Sequence, residues 1–354
     1  MTRPITYNTY PISEVYSEII DVRSEGEFAE DCIPGAINLP VLSNAERAKV
    51  GTIYQQISPF EARKIGAALT SDNIGKYLQQ HFATKDKDYR ALVYCWRGGQ
   101  RSRSLALVLS EIGWEVTLLK GGYKNYRSYV REQLEELPQK FTYKILCGLT
   151  GTGKTQILHR MKQKGLQVLD LENLANHRGS LLGQQWDLET TILPSKQPTQ
   201  KSFESLLLQQ LQSFQTNQIV WLESESNKIG EVHIPTTFWQ MMQRAKCVEV
   251  QLSQDARIEW LLQEYSHLQE YPEVIKSKLE MLKYRYGRQK IEQWFKLIEQ
   301  GEGYVLVGDL LSSHYDPAYS RSLKKSYYSR CEKSISLVDL SVSSIDEAIS
   351  KLLL

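Results

Sequence analysis

The stretch LVYCWRGGQRSRSLAL, residues 92–107, joins the end of a buried strand to a loop rich in glycine and arginine and to the start of a helix. Cys95 closes the apolar run, at the strand end where open α/β sheets bind ligands. Glycines let backbone N–H groups turn toward one point, and a helix N-terminus adds positive charge. The stretch predicts a nucleophilic cysteine in an anion-binding loop, whose residues are Arg97, Gly98, Gly99 and Arg101.

The spacing within this loop leaves its chemistry open. Five residues separate Cys95 from Arg101, as in protein phosphatases that bind a tetrahedral phosphate. Sulfurtransferases of the rhodanese type usually have one residue fewer, so a longer loop is expected to admit a larger anion, such as a phosphate bearing sulfur or selenium. A buried structural cysteine before a Gly-Gly turn is the remaining alternative.

The residues on either side of the loop alternate short apolar runs with helical patterns, which is typical of a parallel α/β sheet. Gly113 and Pro138 are expected to end two of the helices. The predicted strands cover 18–23, 35–40, 91–95 and 115–122, and the predicted helices cover 45–69, 102–113 and 123–137.

A second α/β unit begins at 142–165, with the order strand, glycine loop, helix. Further strands are predicted at 166–172, 218–226 and 247–252, and residues 254 to about 300 read mostly as helix. We therefore predict two domains, 1–138 and 139–354. The first is expected to be a parallel-sheet domain. The second contains the glycine loop GLTGTGKT, 148–155, and is expected to be a P-loop NTPase-like α/β domain with a helical, basic C-terminal part.

The glycine loop of this second unit, GLTGTGKT at 148–155, fits the pattern G-x-x-x-x-G-K-[ST] between a strand and a helix. Its backbone N–H groups are expected to hold a diphosphate, with Lys154 on the outer phosphate and Thr155 on Mg²⁺. A degenerate loop that no longer binds is the alternative, and the pattern does not indicate nucleotide hydrolysis. The predicted diphosphate-binding residues are Gly148, Thr150, Gly151, Thr152, Gly153, Lys154 and Thr155.

Carboxylates lie at the ends of the next two predicted strands of the second unit. Asp170 and Glu172 lie at the end of one strand, and Glu223, with Glu225 next, lies at the end of the other. The carboxyl ends of parallel strands meet at one edge of a sheet, so these side chains are candidates for a pocket. Glu223 is a candidate Mg²⁺ ligand, or alternatively a salt-bridged strand end.

Bulk composition favours a cytoplasmic protein. The 354 residues carry a net charge of +2, and the five cysteines form neither a disulfide framework nor a CxxC pair. Reduced thiols of this kind are typical of the cytosol. We identify no signal peptide, and no apolar run approaches the roughly 20 residues of a membrane span.

Two long stretches of the chain resemble known families. The segment IIDVRSEGEFAEDCIPGAINLP, 19–40, and the segment VTLLKGGYKNYR, 116–127, resemble the rhodanese signature and its closing segment. Cys32 stands where rhodaneses commonly have histidine, and we expect a space-filling role rather than a second redox thiol. From about 18 to 330 the chain resembles the bacterial tRNA 2-selenouridine synthases, through NAERAKVGTIYQQ, CWRGGQRS, GLTGTGKT, DLENLANHRGSLLG, LESESNKIG and HYDPAY.

This resemblance implies an enzyme that converts 2-thiouridine at the wobble position of tRNA to 2-selenouridine. It implies selenophosphate as the donor, an S-geranyl intermediate made with geranyl diphosphate, and an enzyme that supplies the selenophosphate. Cys95 corresponds to the rhodanese cysteine and 148–155 to the diphosphate site. His177 and Arg178, in the family stretch, are candidates for the uridine or diphosphate pocket, although a single histidine is more often structural.

The resemblance also favours RNA contacts for two basic segments, 276–290 and 320–333, which otherwise read as solvated helix faces. The predicted tRNA-binding residues are Lys283, Arg285, Arg288, Lys324 and Lys325.

A second function remains compatible with the sequence. It is a P-loop phosphotransferase or ATPase that carries a rhodanese sulfurtransferase module. The segment FWQMMQ, 238–243, is read as core rather than as a geranyl pocket.

Overall fold

The computed structural model describes residues 2–179, 196–266 and 271–353, without the side chains of 322–326 and 328. These residues build two units. The first consists of 1–134 and 198–208, and the second of 135–197 and 209–354.

A five-stranded parallel sheet forms the first unit, with the strand order β1-β5-β4-β2-β3. Strand β4 lies in the middle of the sheet and is almost entirely buried, which explains its unbroken apolar sequence. The elements are β1 Thr6–Asn8, β2 Glu18–Asp21, α1 Glu25–Glu30, β3 Ala36–Asn38, α2 Asn44–Gln56, α3 Pro59–Gln80, β4 Arg90–Tyr94, α4 Gln100–Ile112, β5 Glu115–Leu119 and α5 Gly122–Glu136.

The second unit contains another five-stranded parallel sheet, with the order β12-β11-β6-β8-β7, and a small antiparallel pair, β9 with β10. The elements that follow α5 along the chain are β6 Thr142–Cys147, α6 Lys154–Gln163, β7 Gln167–Val168, α7 Leu171–Ala175, α8 Gln200–Gln212, β8 Ile219–Glu223, β9 Lys228–Ile229, β10 Val232–His233, α9 Thr236–Arg244, β11 Lys246–Gln251, α10 Gln254–Glu264, α11 Pro272–Glu280, α12 Lys283–Glu299, α13 Gly303–Leu310, a π-helical turn Leu311–Tyr315, α14 Asp316–Ser326, β12 Cys331–Ser336 and α15 Val342–Leu353. Of these, α8 belongs to the first unit as far as residue 208.

The predicted α/β fold class is confirmed, including the helical C-terminal part. Helices continue beyond the expected end near 300 as far as Ser326, around a cluster that includes Leu279 and Trp294. Phe238 and Met242 are fully buried, and Phe238 packs edge-on against Tyr143, so the apolar face of the segment 238–243 is core as predicted, while Gln240 and Gln243 are exposed.

Several element boundaries were wrong. The helix predicted over 45–69 is two helices, because the Ser58 hydroxyl caps the N-terminus of α3 and Pro59 occupies its first turn. The strand predicted over 166–172 ends at Val168, because Asp170 caps α7 by accepting from the Asn173 N–H at 2.9 Å.

Strand β12 was not predicted at all. Its sequence CEKSIS is mostly polar, and four of its six side chains are exposed because it lies at the edge of the sheet beside β11. An edge strand lacks the apolar run from which a central strand can be predicted.

Residues 198–208 belong to the first unit although they follow the phosphate loop in sequence. The Ser205 hydroxyl donates to the Asp31 carboxylate at 3.0 Å, and Lys201 forms an ion pair with Glu30 at 2.6 Å. The single domain boundary predicted after residue 138 stays a prediction.

Candidate active sites

Cys95 follows β4 directly and is 3% exposed. Its Sγ accepts hydrogen bonds from the Gly99 backbone N–H at 3.2 Å and from the Ser102 hydroxyl at 3.3 Å. Helix α4 begins at Gln100, so its positive end faces the loop that holds the thiol. Sequence reasoning missed Ser102, because one serine among several at a helix start carries no distinguishing pattern.

Glycine is required at two places around Cys95, one in its loop and one in the closing segment that packs against the loop. Gly98 has φ +68°, and a Cβ there would lie 2.8 Å from the Leu119 carbonyl oxygen. Gly122, at φ +55°, approaches the Cys95 carbonyl oxygen so closely that a Cβ would lie 2.1 Å from it. The Tyr123 N–H then donates to the same carbonyl at 2.9 Å. The rhodanese-like closing segment therefore holds the loop through its backbone.

The two arginines of this loop have different surroundings. Arg101 donates to the Glu27 carboxylate at 2.7 Å, and Arg47 contacts the same carboxylate at 3.1 Å. Burial raises the pKa of Glu27, but these arginines outweigh burial and hold it below its usual value. Arg97 is exposed and makes no ion pair within the described part of the chain. Arg97 is therefore the more available cation for an anion at this loop.

Other groups around the loop are buried and paired. Arg23 forms an ion pair with Asp21 at 2.6 Å and stacks 3.9 Å from the centre of the Tyr123 ring. Cys32 is half-buried, and burial, then the adjacent Asp31, raise the pKa of its thiol to about 11. A thiol with this pKa is protonated at neutral pH, which agrees with a space-filling role.

The phosphate loop connects β6 to α6. Lys154 is 7% exposed and its Nζ donates to the Gly148 and Leu149 carbonyl oxygens, both at 3.1 Å. The Lys154 ammonium also lies 5.4 Å from the centre of the Tyr319 ring. Gly151 and Gly153 have φ +82° and +77°, which only glycine adopts readily. The backbone thus has the form that a phosphate cradle needs.

A buried arginine holds the outer side of this loop. Arg257 of α10 is 3% exposed, and its Nε donates to the Thr150 carbonyl oxygen at 2.7 Å. Its two terminal nitrogens bind the Asp316 carboxylate at 2.6 and 3.1 Å. Asp316 lies in the family stretch HYDPAY, so this stretch supports the phosphate loop. The sequence offered no signal for Arg257.

Three carboxylates gather beside Lys154. One oxygen from each of Glu172, Glu223 and Glu225 lies within 4.8 Å of the others. Burial and the neighbouring carboxylates raise the pKa of Glu172 to about 10 and that of Glu225 to about 8, and burial also raises that of Glu223. The Thr155 side chain hydrogen-bonds to Glu223. Clustered carboxylate oxygens and a hydroxyl are the ligands that Mg²⁺ prefers, so the residues fit such an ion.

A cavity of about 380 Å³ opens at the phosphate loop. Asp170 lies on its wall, but its carboxylate already has two partners. One oxygen accepts the capping hydrogen bond from the Asn173 N–H, and the other lies 2.9 Å from the His159 Nε2. Arg178 pairs with Glu264 at 2.7 Å. His177 is not among the lining residues; its Nδ1 accepts from the Gly179 N–H at 3.0 Å. The predicted residues that line the cavity are Thr150, Gly151, Gly153, Lys154, Thr155, Asp170, Glu172, Arg178 and Glu223.

The predicted tRNA-binding residues of helix α12 differ in their availability. Lys283 pairs with Glu280, and Arg288 pairs with Glu292 at 2.8 Å. Arg285 lies 5.3 Å from the Tyr286 ring and makes no ion pair within the described ranges. The side chains of Lys324 and Lys325 lie outside the described residues. The tRNA contacts stay a prediction.

Together, a loop cysteine on a rhodanese-like sheet and a phosphate loop on a second sheet define a protein that joins a rhodanese-like domain to a P-loop domain. The family models agree: residues 11–129 match the rhodanese-like domain, and 141–336 match the tRNA 2-selenouridine synthase AAA domain. The chain belongs to the tRNA 2-selenouridine synthase family.

Curated relatives with the name tRNA 2-selenouridine synthase match nearly the full length. Proteins of Hydrogenovibrio crunogenus and Shewanella denitrificans are each 31% identical, over 87% of this chain and 89% and 88% of their own. The Sulfurovum protein is 31% identical over 91% of both chains. Among the described residues, no helix is both long enough and apolar enough to cross a membrane.

Proposed function

We propose that the protein converts the wobble 2-thiouridine of tRNA to 2-selenouridine in the cytoplasm, with selenophosphate as donor and through an S-geranyl intermediate. The observation that supports this most directly is the presence of two separate anion-binding loops, one with a cysteine and one with a lysine. Two anionic co-substrates, selenophosphate and geranyl diphosphate, need two such loops.

In the first proposed step, the sulfur of 2-thiouridine attacks C1 of geranyl diphosphate. The C–O bond breaks, diphosphate leaves with the electron pair, and the N3 proton of the uridine is released to solvent. Lys154 and the N-terminus of α6 stabilise this leaving group electrostatically. When Mg²⁺ is bound, Thr155 and the carboxylates Glu172, Glu223 and Glu225 would hold it, and it would neutralise charge on the diphosphate.

In the second proposed step, selenium attacks C2 of the S-geranylated uridine, and geranyl thiol leaves instead of hydrosulfide. Cys95 and Arg97 hold selenophosphate as the donor. If the Cys95 thiolate attacks its phosphorus, the Se–P bond breaks, selenide leaves as the nucleophile for C2, and water then releases phosphate from the cysteine. With selenophosphate as the nucleophile, water then cleaves the Se–P bond and releases phosphate. A selenophosphate-supplying enzyme is the partner that this step requires.

The test is mass spectrometry of tRNA nucleosides from a deletion strain. Complementation with the wild-type gene should restore 2-selenouridine. Cys95→Ala should stop at S-geranyl-2-thiouridine, and Lys154→Ala should leave 2-thiouridine, because the two loops act on different co-substrates. Unchanged 2-selenouridine in the deletion strain would overturn the proposal, and geranylation that survives Lys154→Ala would overturn the role of the phosphate loop.

A further inference from the structure

The second unit contains a cavity of about 490 Å³ among helices α10 to α13, which the catalytic proposal above does not use. Its volume is that of a small-molecule site. The described residues of its wall are mostly aliphatic and aromatic, and they include Leu261, Leu262, Ile275, Leu297, Val307 and Leu310.

This apolar cavity adjoins the cavity at the phosphate loop. Four residues line both: Thr150, Leu261, Tyr265 and Tyr315. Thr150 belongs to the phosphate loop itself, and the Leu261 side chain lies 3.1 Å from the position that a Cβ on Gly151 would take. A ligand with its phosphates on the loop therefore has an apolar space next to it.

We infer that the apolar cavity binds the hydrocarbon chain of an isoprenoid diphosphate whose diphosphate lies on the phosphate loop. This inference rests on the proposed function and extends it by placing the chain. A nucleoside would bring polar edges that need partners, whereas the wall offers mainly carbon. The Tyr304 hydroxyl already donates to Asp255 at 2.8 Å. A branched hydrocarbon chain needs no polar partner and gains affinity from burial.

This placement predicts how the affinity depends on the length of the ligand's hydrocarbon chain. Each buried methylene group adds about fourfold to affinity. Affinity should rise from inorganic diphosphate through dimethylallyl diphosphate to geranyl diphosphate. A chain that passes the end of the cavity gains nothing further, because its last carbons stay in water or clash with the wall.

Helix α13 supplies a matched pair of variants. Val307 lines the cavity, whereas Val305, two residues earlier on the same helix, is 50% exposed and does not line it. Val307→Trp fills the cavity, and Val305→Trp adds the same side chain to the surface. A third variant, Val307→Ala, enlarges the cavity and tests the site without added bulk.

The experiment is isothermal titration of the full chain, in buffer with Mg²⁺, with inorganic, dimethylallyl, geranyl and farnesyl diphosphate. Wild type and Val305→Trp should bind geranyl diphosphate at least tenfold more tightly than inorganic diphosphate. Val307→Trp should lose that advantage while retaining its affinity for inorganic diphosphate, which also shows that it folds. Val307→Ala should gain relative affinity for farnesyl diphosphate.

The outcomes separate this inference from the proposal on which it rests. Equal affinity of wild type for geranyl and inorganic diphosphate overturns the inference about the chain and leaves the loop in place. An equal loss in Val305→Trp and Val307→Trp also overturns it. Absence of binding for both ligands overturns the role of the phosphate loop as well.

Discussion

The Arg257 guanidinium and the Asp316 carboxylate form an ion pair with two hydrogen bonds, and the same guanidinium donates to the phosphate loop at Thr150. This pair joins α10 and α14 to the loop. A distant part of the sequence thereby determines the shape of the diphosphate site.

Asp316→Ala should lower the free energy of unfolding by about 2–4 kcal/mol, because it leaves the buried Arg257 charge without its partner. It should also weaken the binding of inorganic diphosphate. Urea unfolding and isothermal titration measure the two effects. Glu292→Ala is the control, because it breaks the exposed pair with Arg288 and should cost about 0.5 kcal/mol or less. Equal losses in both variants would argue against a supporting role for the Arg257 pair.

Cys95→Ser should abolish selenium transfer to tRNA in a reaction with purified protein, selenophosphate and S-geranylated tRNA. The serine retains the hydrogen bonds from Gly99 and Ser102 but is a far weaker nucleophile. Cys32→Ser is the matched control and should keep most activity, since the Cys32 thiol stays protonated at neutral pH. Loss of activity in the control alone would reverse the assignment of the two cysteines.

Mg²⁺ should raise the thermal unfolding midpoint of the full chain, because Glu172, Glu223 and Glu225 are brought together as ligands only in the folded state, and the ion displaces the protons that their raised pKa values retain. Glu225→Gln should be more stable than wild type without Mg²⁺ and should gain less from its addition. Glu231→Gln, at an exposed position, should behave as wild type. Differential scanning fluorimetry with Mg²⁺ and with EDTA decides the point, and an unchanged Mg²⁺ effect in Glu225→Gln would exclude this residue as a ligand.

Arg285→Ala should weaken tRNA binding and reduce the salt dependence of its affinity by about one counterion. Arg288→Ala should have a smaller effect on both the affinity and its salt dependence, because Arg288 is already paired with Glu292 on the same helix. Filter binding across a range of salt concentrations measures both slopes. If the two variants have the same slope as wild type, α12 does not contact the phosphate backbone.

Glu18 should contribute to stability at neutral pH and lose that contribution in acid. Burial raises its pKa, but hydrogen bonds from Lys85, Tyr89 and His81 outweigh burial and hold the pKa below 4.5. The unfolded state therefore binds the proton first as pH falls below about 4.5, and the stabilisation disappears as pH falls through the lower folded pKa. Glu18→Gln should flatten this part of the pH–stability curve. Glu61→Gln, at a more exposed carboxylate, should leave the curve unchanged.

The sequence predicted a structural feature correctly where all the residues that determine it lie in one short segment. The apolar run of β4, the glycines of both loops and the signature GLTGTGKT each specify a backbone shape within a few residues. Element ends were less accurate, because a cap such as Asp170 or Ser58 competes with the apolar pattern on either side.

The residues of the candidate sites also differ in whether the sequence predicts them. Cys95, Lys154 and Thr155 were identified from motifs, because glycine loops with a nucleophile or a lysine are local patterns. Ser102, which donates to Cys95, and Arg257, which donates to Thr150, were not identified. Their roles depend on contacts that sequence spacing does not record.

By itself the sequence determined that the protein has two anion-binding loops on two α/β sheets, and that they belong to a rhodanese-like and a P-loop domain. Only the tertiary structure decided that residues 198–208 pack with the first unit, that three glutamates meet beside Lys154, and that an apolar cavity adjoins the phosphate loop. The physical reason is the distance along the chain between the residues that interact. Backbone turns and strand burial follow from neighbouring residues, whereas shared charge and cavity walls arise between segments that lie far apart along the chain.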